Sequence, residues 1–228
     1  MRRILFMTLI LACFTVLCSG CGIVMELAAY NEVKSGAFDY TPKTVPIPAM
    51  ESAAVSREDQ GLQVGVTPYV EAEKTRRIFD ADLKKARILA LQVLVRNNGQ
   101  RRMTLRTDDF ILHIPAGKAY TRAAAVDAAS RLDRSAGWGW ILLFHNPGYQ
   151  HIRRATERAN SDRQADFGGK EFHDVPLHSG DAAHGFLFYL IPDDVRELRN
   201  ASLVVKGTDD VPATGISVEL PLGDLGAW

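Results

Sequence analysis

His173, Asp174, His178 and His184 crowd one stretch of the chain, and imidazole with carboxylate is a donor set for zinc or copper. The set raises a metal-binding role in an oxidising compartment as the alternative reading of this protein, although the spacing gives no helical i, i+4 ligand pair and no recognised metal motif. His178, Ser179 and Asp181 are also neighbours, yet a hydrolytic triad is defined by geometry and not by proximity along a chain. There is no Gly-x-Ser-x-Gly elbow, phosphate-binding loop, dinucleotide fingerprint or His-Glu-x-x-His helix pattern. Neither catalysis nor a cofactor is expected.

A second unusual feature is the run Gly137-Trp138-Gly139-Trp140-Ile141-Leu142-Leu143-Phe144. It is too short to cross a bilayer. It can turn inward and plug one end of the domain, contact a partner, or dip into a membrane surface, since sizeable exposed apolar patches usually mark interaction sites. Trp138, Trp140, Ile141, Leu142 and Phe144 are the candidate partner-binding residues.

All three cysteines, Cys13, Cys18 and Cys21, lie near the N-terminus. The body beyond Cys21 therefore has no thiol for disulfides, thiolate zinc sites or nucleophilic catalysis. Arg2 and Arg3 precede fourteen uncharged residues, Ile4 to Leu17, which is the length of a signal-peptide core and shorter than the roughly 20 residues of a transmembrane helix. The following Leu17-Cys18-Ser19-Gly20-Cys21 resembles the lipobox of bacterial lipoproteins, with Cys18 standing where that pattern prefers leucine. The resemblance implies cleavage after Gly20, diacylglycerol on the Cys21 sulfur and acylation of the new amino terminus. Gly22 follows, not the aspartate that retains such proteins at the inner membrane, which implies the outer membrane, facing the periplasm.

The chain has 228 residues, 46% of them hydrophobic, with 27 Lys+Arg against 27 Asp+Glu. That length and apolar content suffice for one ordinary domain. The balance gives no electrostatic case for nucleic acid. Loss of residues 1–20 leaves 25 basic against 27 acidic, so the acyl chains, not charge, would hold the protein at the membrane.

The elements that must position these residues follow from periodicity. Residues 21–60 are expected to be the lipidated end and a tether, with a short membrane-proximal helix over 22–36 and an extended, proline-containing stretch over 37–60. Alternation predicts about seven strands, at 62–67, 88–96, 101–106, 109–114, 185–191, 201–206 and 215–220. Ile88 to Val95 is apolar on both faces except at Gln92, the pattern of a central strand covered on both sides. Asn98-Gly99 predicts a type I′ hairpin pairing 88–96 with 101–106.

Helical spacing is present in Glu71–Arg87 and within an insertion at about 121–167. Its Arg153, Arg154, Arg158 and Arg163, interleaved with acids, predict a self-paired solvated face. Asp193–Leu198 predicts one helical turn. The strand pattern from 62 to 221 resembles the immunoglobulin-like domains of bacterial envelope lipoproteins of uncharacterised function. It implies a mainly β fold, an immunoglobulin-like antiparallel β-sandwich with a helical insertion, over residues 61–228. The expected role is that of a lipid-anchored binding or structural module for another envelope component.

Overall fold

The computed structural model describes residues 39–114, 118–133, 147–206 and 216–222. Cys21, the 22–36 stretch and the Trp138–Phe144 run lie outside the described residues. The chain divides into two compact units, one comprising residues 41–132 and 163–228, the other 1–40 and 133–162.

The larger unit is mainly β. Its described residues form ten strands: β1 (Val55–Asp59), β2 (Leu62–Tyr69), β3 (Ile88–Asn97), β4 (Met103–Leu105), β5 (Phe110–His113), β6 (Ala119–Thr121), β7 (Val175–Leu177), β8 (Ala182–Leu190), β9 (Ser202–Val205) and β10 (Ile216–Glu219). They pair antiparallel in two four-stranded sheets, ordered β1-β2-β3-β8 and β10-β9-β5-β6, and one two-stranded sheet, β4-β7. Strands form at all seven expected places, and β1, β6 and β7 are additional.

β3 is buried on both faces, as its sequence predicts. Leu89, Leu91, Val93 and Val95 join an apolar cluster with Phe110, Leu112, Leu203, Val205 and Val218 of the second sheet. On the opposite face, Ile88 and Ala90 join Phe186 and Phe188 of β8 under Phe79, Leu83, Ala128 and Phe167. The Phe79 ring meets Phe186 edge-on at 5.0 Å and Phe167 tilted at 4.8 Å, geometries that favour aromatic pairs beyond their buried area.

Three helices are described: α1 (Ala72–Phe79), α2 (Ala125–Ser130) and α3 (Pro147–Lys170). α1 is shorter than the 71–87 expectation because Asp80 adopts a left-handed conformation (φ 52) and donates its N–H to Arg76 O at 3.1 Å, a helix-ending geometry. The phased apolar residues Phe79 and Leu83 are buried nonetheless. Asp193–Leu198 is a turn and not a helical one, closed by Val195 N–H on Pro192 O.

α3 begins in the smaller unit and ends, from Arg163, in the larger. In the former part Arg153 and Glu157 form the expected i, i+4 pair at 2.7 Å. Arg163 departs from expectation. It is 3% exposed, and its guanidinium donates to Leu132 O at 3.1 Å.

Two further expectations are corrected. The 37–60 stretch is not all tether: β1 pairs with β2 in register from Val55↔Val66 to Asp59↔Leu62. The two-residue turn that joins them is Gln60-Gly61, with φ 48 and 82, the positive-φ pair that a type I′ hairpin requires.

Asn98-Gly99 makes no such turn. β3 pairs with β2 and β8, and β4 pairs with β7. The reason lies in Asn97, which is fully buried and donates its side-chain amide to Arg101 O (2.8 Å) and Leu177 O (3.1 Å). These bonds carry the chain away from β3 and toward β7. Asn98 and Gly99 donate their N–H groups to Gly61 O instead, at 2.6 and 3.2 Å, so they pack on the real turn.

Candidate ligand-binding cavity

A cavity of about 560 Å³ opens on the helix-covered side of the first sheet. Gln92 comes from the middle of β3, and His184, Gly185 and Phe186 from β8. The last turns of α3 supply Asp166 and Lys170, the segment after it Glu171 and His173, and the stretch ahead of β1 Lys43 and Val45. All of these residues belong to the larger unit.

Gly185 lets the wall form. As the chain leaves α3 it runs against β8, where Phe172 N–H donates to Phe186 O at 2.9 Å and Glu171 bridges Phe186. A Cβ at residue 185 would lie 2.5 Å from Phe172 Cα and 2.6 Å from its nitrogen, closer than carbon atoms pack. Phe172 enters the core between the sheets, edge-on to Phe110 at 5.2 Å. The residues on either side of it, Glu171 and His173, line the cavity.

The two carboxylates of the lining are each matched. Asp166 and Lys170 are ion-paired with side chains only 7% and 8% exposed. Lys170 Nζ also donates to Ile78 O at 2.8 Å and lies 5.3 Å over the Phe79 ring. Burial pushes the Lys170 ammonium below the usual lysine range, against the Asp166 carboxylate that pulls it up, and repulsion from Lys43 adds to the fall. Glu171 accepts from Arg122 at 2.5 Å and from the Ala125 N–H, the first residue of α2, at 3.2 Å.

The remaining polar lining is unmatched. The side chains of Lys43, His173 and His184 make no hydrogen bond or ion pair with the described residues. Gln92 is 6% exposed, and its Oε1 accepts the Tyr69 hydroxyl at 3.1 Å. Its amide nitrogen has no partner among the described residues. The nitrogen is not sealed from solvent, so it can donate to a group that enters the cavity.

The four residues of the alternative, metal-binding reading do not come together. His173 and His184 share the cavity lining, but Asp174 turns away and accepts from Thr107 N–H and Oγ1 at 2.8 and 2.9 Å. His178 lies in the turn before β8, where its N–H donates to Asp181 Oδ2 at 2.8 Å. Among the described residues no group of three or more His, Cys, Asp or Glu side chains is placed to hold a metal. The same bond commits Asp181 to the backbone of His178, not to its imidazole.

Sequence reading missed Lys43, because it fell in the supposed tether, Glu171, whose partner Arg122 is distant in the chain, and Lys170, which lies just past the expected insertion. Gln92 carried a signal: it is the polar interruption of a strand that is otherwise apolar on both faces.

No protein-family model and no curated protein matches the chain. Among solved structures, the yjhA protein from Bacillus subtilis is similar with a TM-score of 0.39 and 12% identity, covering 74% of this chain and 97% of that one. A functionally unknown protein from Listeria monocytogenes EGD-e gives a TM-score of 0.35 and 12% identity, covering 74% and 82%.

Proposed function

We propose that this protein is a lipid-anchored component of a bacterial cell envelope whose body, an immunoglobulin-like β-sandwich, acts as a non-catalytic binding module. The observation that carries the binding role is the cavity, where the Gln92 amide nitrogen, Lys43, His173 and His184 face a shared space with no hydrogen bond or ion pair to other described residues.

The anchor is supported by Leu17-Cys18-Ser19-Gly20-Cys21 after a charged and then apolar leader. Diacylglycerol plus an N-terminal acyl group would hold the body at the periplasmic face of the outer membrane, because each buried CH₂ adds about 0.8 kcal/mol. Trp138, Trp140, Ile141, Leu142 and Phe144 remain the candidate contacts to an envelope partner.

Two measurements test this reading. Mass spectrometry of the mature N-terminal peptide is expected to show acylated Cys21, and Cys21→Ala is expected to release the protein from the membrane fraction; an unmodified Cys21 overturns the anchor. Native mass spectrometry of the full chain, gently extracted, is expected to show a small-molecule adduct that dissociates on activation. An adduct-free protein whose thermal unfolding no small molecule shifts overturns the binding role.

A further inference from the structure

We propose that the cavity is an anion site, taking a small organic carboxylate or phosphate monoester whose charged head is held by the Lys43 ammonium and the Gln92 amide N–H. This rests on the binding-module reading and adds the chemical class of the ligand. Four charged side chains line the space, and three are already balanced: Asp166 and Lys170 by each other, Glu171 by Arg122. Lys43 is the cation left over among the described residues.

Lys43 also stands near enough to Lys170 to oppose its protonation. An anion between them turns that repulsion into attraction, whereas a cation would meet two ammonium groups and carboxylates already engaged. Gln92 adds a neutral donor, 94% buried and fixed through its Oε1 by the Tyr69 hydroxyl, so its N–H₂ group is oriented before any ligand arrives. The exposed His173 and His184 also line the space. Phe186 and Val45 give the cavity an apolar side, and its volume, about 560 Å³, exceeds what a bare inorganic ion would fill. That size and lining favour an anion with an organic body.

The test is a titration of the isotopically labelled full chain in neutral detergent, following the Gln92 side-chain amide signal by NMR. That signal is identified by its absence in Gln92→Leu. The probes are benzoate, phenyl phosphate, inorganic phosphate, benzamide and benzylammonium. Benzoate or phenyl phosphate is expected to move the signal saturably and to bind at least about tenfold more tightly than benzamide or benzylammonium. Lys43→Gln is expected to weaken anion binding by about tenfold or more with thermal unfolding unchanged, since Lys43 makes no hydrogen bond or ion pair with the described residues. Tighter binding of phenyl phosphate than of inorganic phosphate supports the organic body, and equal binding of the two overturns that part.

If benzylammonium or benzamide binds as tightly as benzoate, or Lys43→Gln binds like the parent protein, the anion assignment is wrong while the cavity remains a ligand site. If no probe moves the Gln92 signal, the anion site and the use of this cavity as a binding site fall together.

Discussion

Asp174 is joined to Thr107 by two hydrogen bonds to a single carboxylate oxygen, from the backbone N–H at 2.8 Å and the hydroxyl at 2.9 Å. The pair ties the segment leading into β7 to the start of the short 3₁₀ turn Thr107–Asp109. Those bonds, the backbone one first, hold the Asp174 carboxyl below the usual aspartate range. A depressed folded pKa means that the stabilisation is complete above the ordinary carboxylate pKa and is lost as pH falls through the lower, folded value. Asp174→Ala is expected to cost about 1 kcal/mol near neutrality, the site being solvent-screened. The gap between parent and variant in urea unfolding is expected to close in acid. A gap that persists at low pH would show that the carboxylate charge plays no part.

Glu171 holds two elements at once. Its carboxylate takes Arg122 and the first N–H of α2, where a negative charge also suits the helix dipole. Glu171→Ala removes both interactions and leaves the largely buried Arg122 with only the exposed Asp108 carboxylate, 3.6 Å from its Nε, as an ion-pair partner among the described residues. A loss of about 2–3 kcal/mol is expected. Glu171→Gln keeps an acceptor for Ala125 N–H, so its loss is expected to be smaller. Equal losses in the two variants, measured by chemical unfolding, would show that the ion pair and not the cap carries the effect.

What was legible in the sequence follows what each residue is buried against. β3 could be read from its own residues because both of its faces meet apolar layers. β1 could not, since Val55-Ser56-Arg57-Glu58-Asp59 is a charged edge strand, and edges are kept polar to discourage further pairing. His173 and His184 were recognisable as neighbours and do share the cavity, but Asp174, the residue next to His173, turns to Thr107. Lys170 is matched by Asp166 at helical i, i+4 spacing, but Glu171 is matched with Arg122, 49 residues away, and Lys170 also donates to the distant Ile78 O. Local spacing carries no trace of the two distant contacts.

The two glycines following polar residues at the tight turns separate the expected hairpin from the observed one. Gly61 has φ +82, and a Cβ there would lie 2.7 Å from Gly99 Cα and N. Gly61→Ala therefore meets both backbone strain and a backbone clash, with an expected loss of about 2–3 kcal/mol. At Gly99 the nearest atom to an added Cβ is Asn97 Oδ1, at 3.2 Å, and φ is not positive. Gly99→Ala is expected to lose under about 1 kcal/mol. Thermal unfolding of the two variants decides the matter, and the reverse ranking would restore the Asn98-Gly99 hairpin.

Lys170 and Asp166 should reveal themselves as a coupled pair. Both side chains are more than nine-tenths buried, so each charge depends on its partner for compensation that water does not provide. Lys170→Met alone leaves the Asp166 carboxylate without its ammonium, and Asp166→Leu alone leaves the ammonium without its carboxylate. Each single change is expected to cost about 3 kcal/mol, whereas the double variant, which removes both charges, is expected to lie within about 1–2 kcal/mol of the parent protein. Losses that simply add in the double-mutant cycle would show that the two side chains do not act as a pair. A pH series gives a second reading of the same site. Burial lowers the folded pKa of Lys170 below its unfolded value, so between those two values the unfolded chain binds more protons and stability contributed by this group rises with pH. That alkaline rise is expected in the parent protein and absent from Lys170→Met.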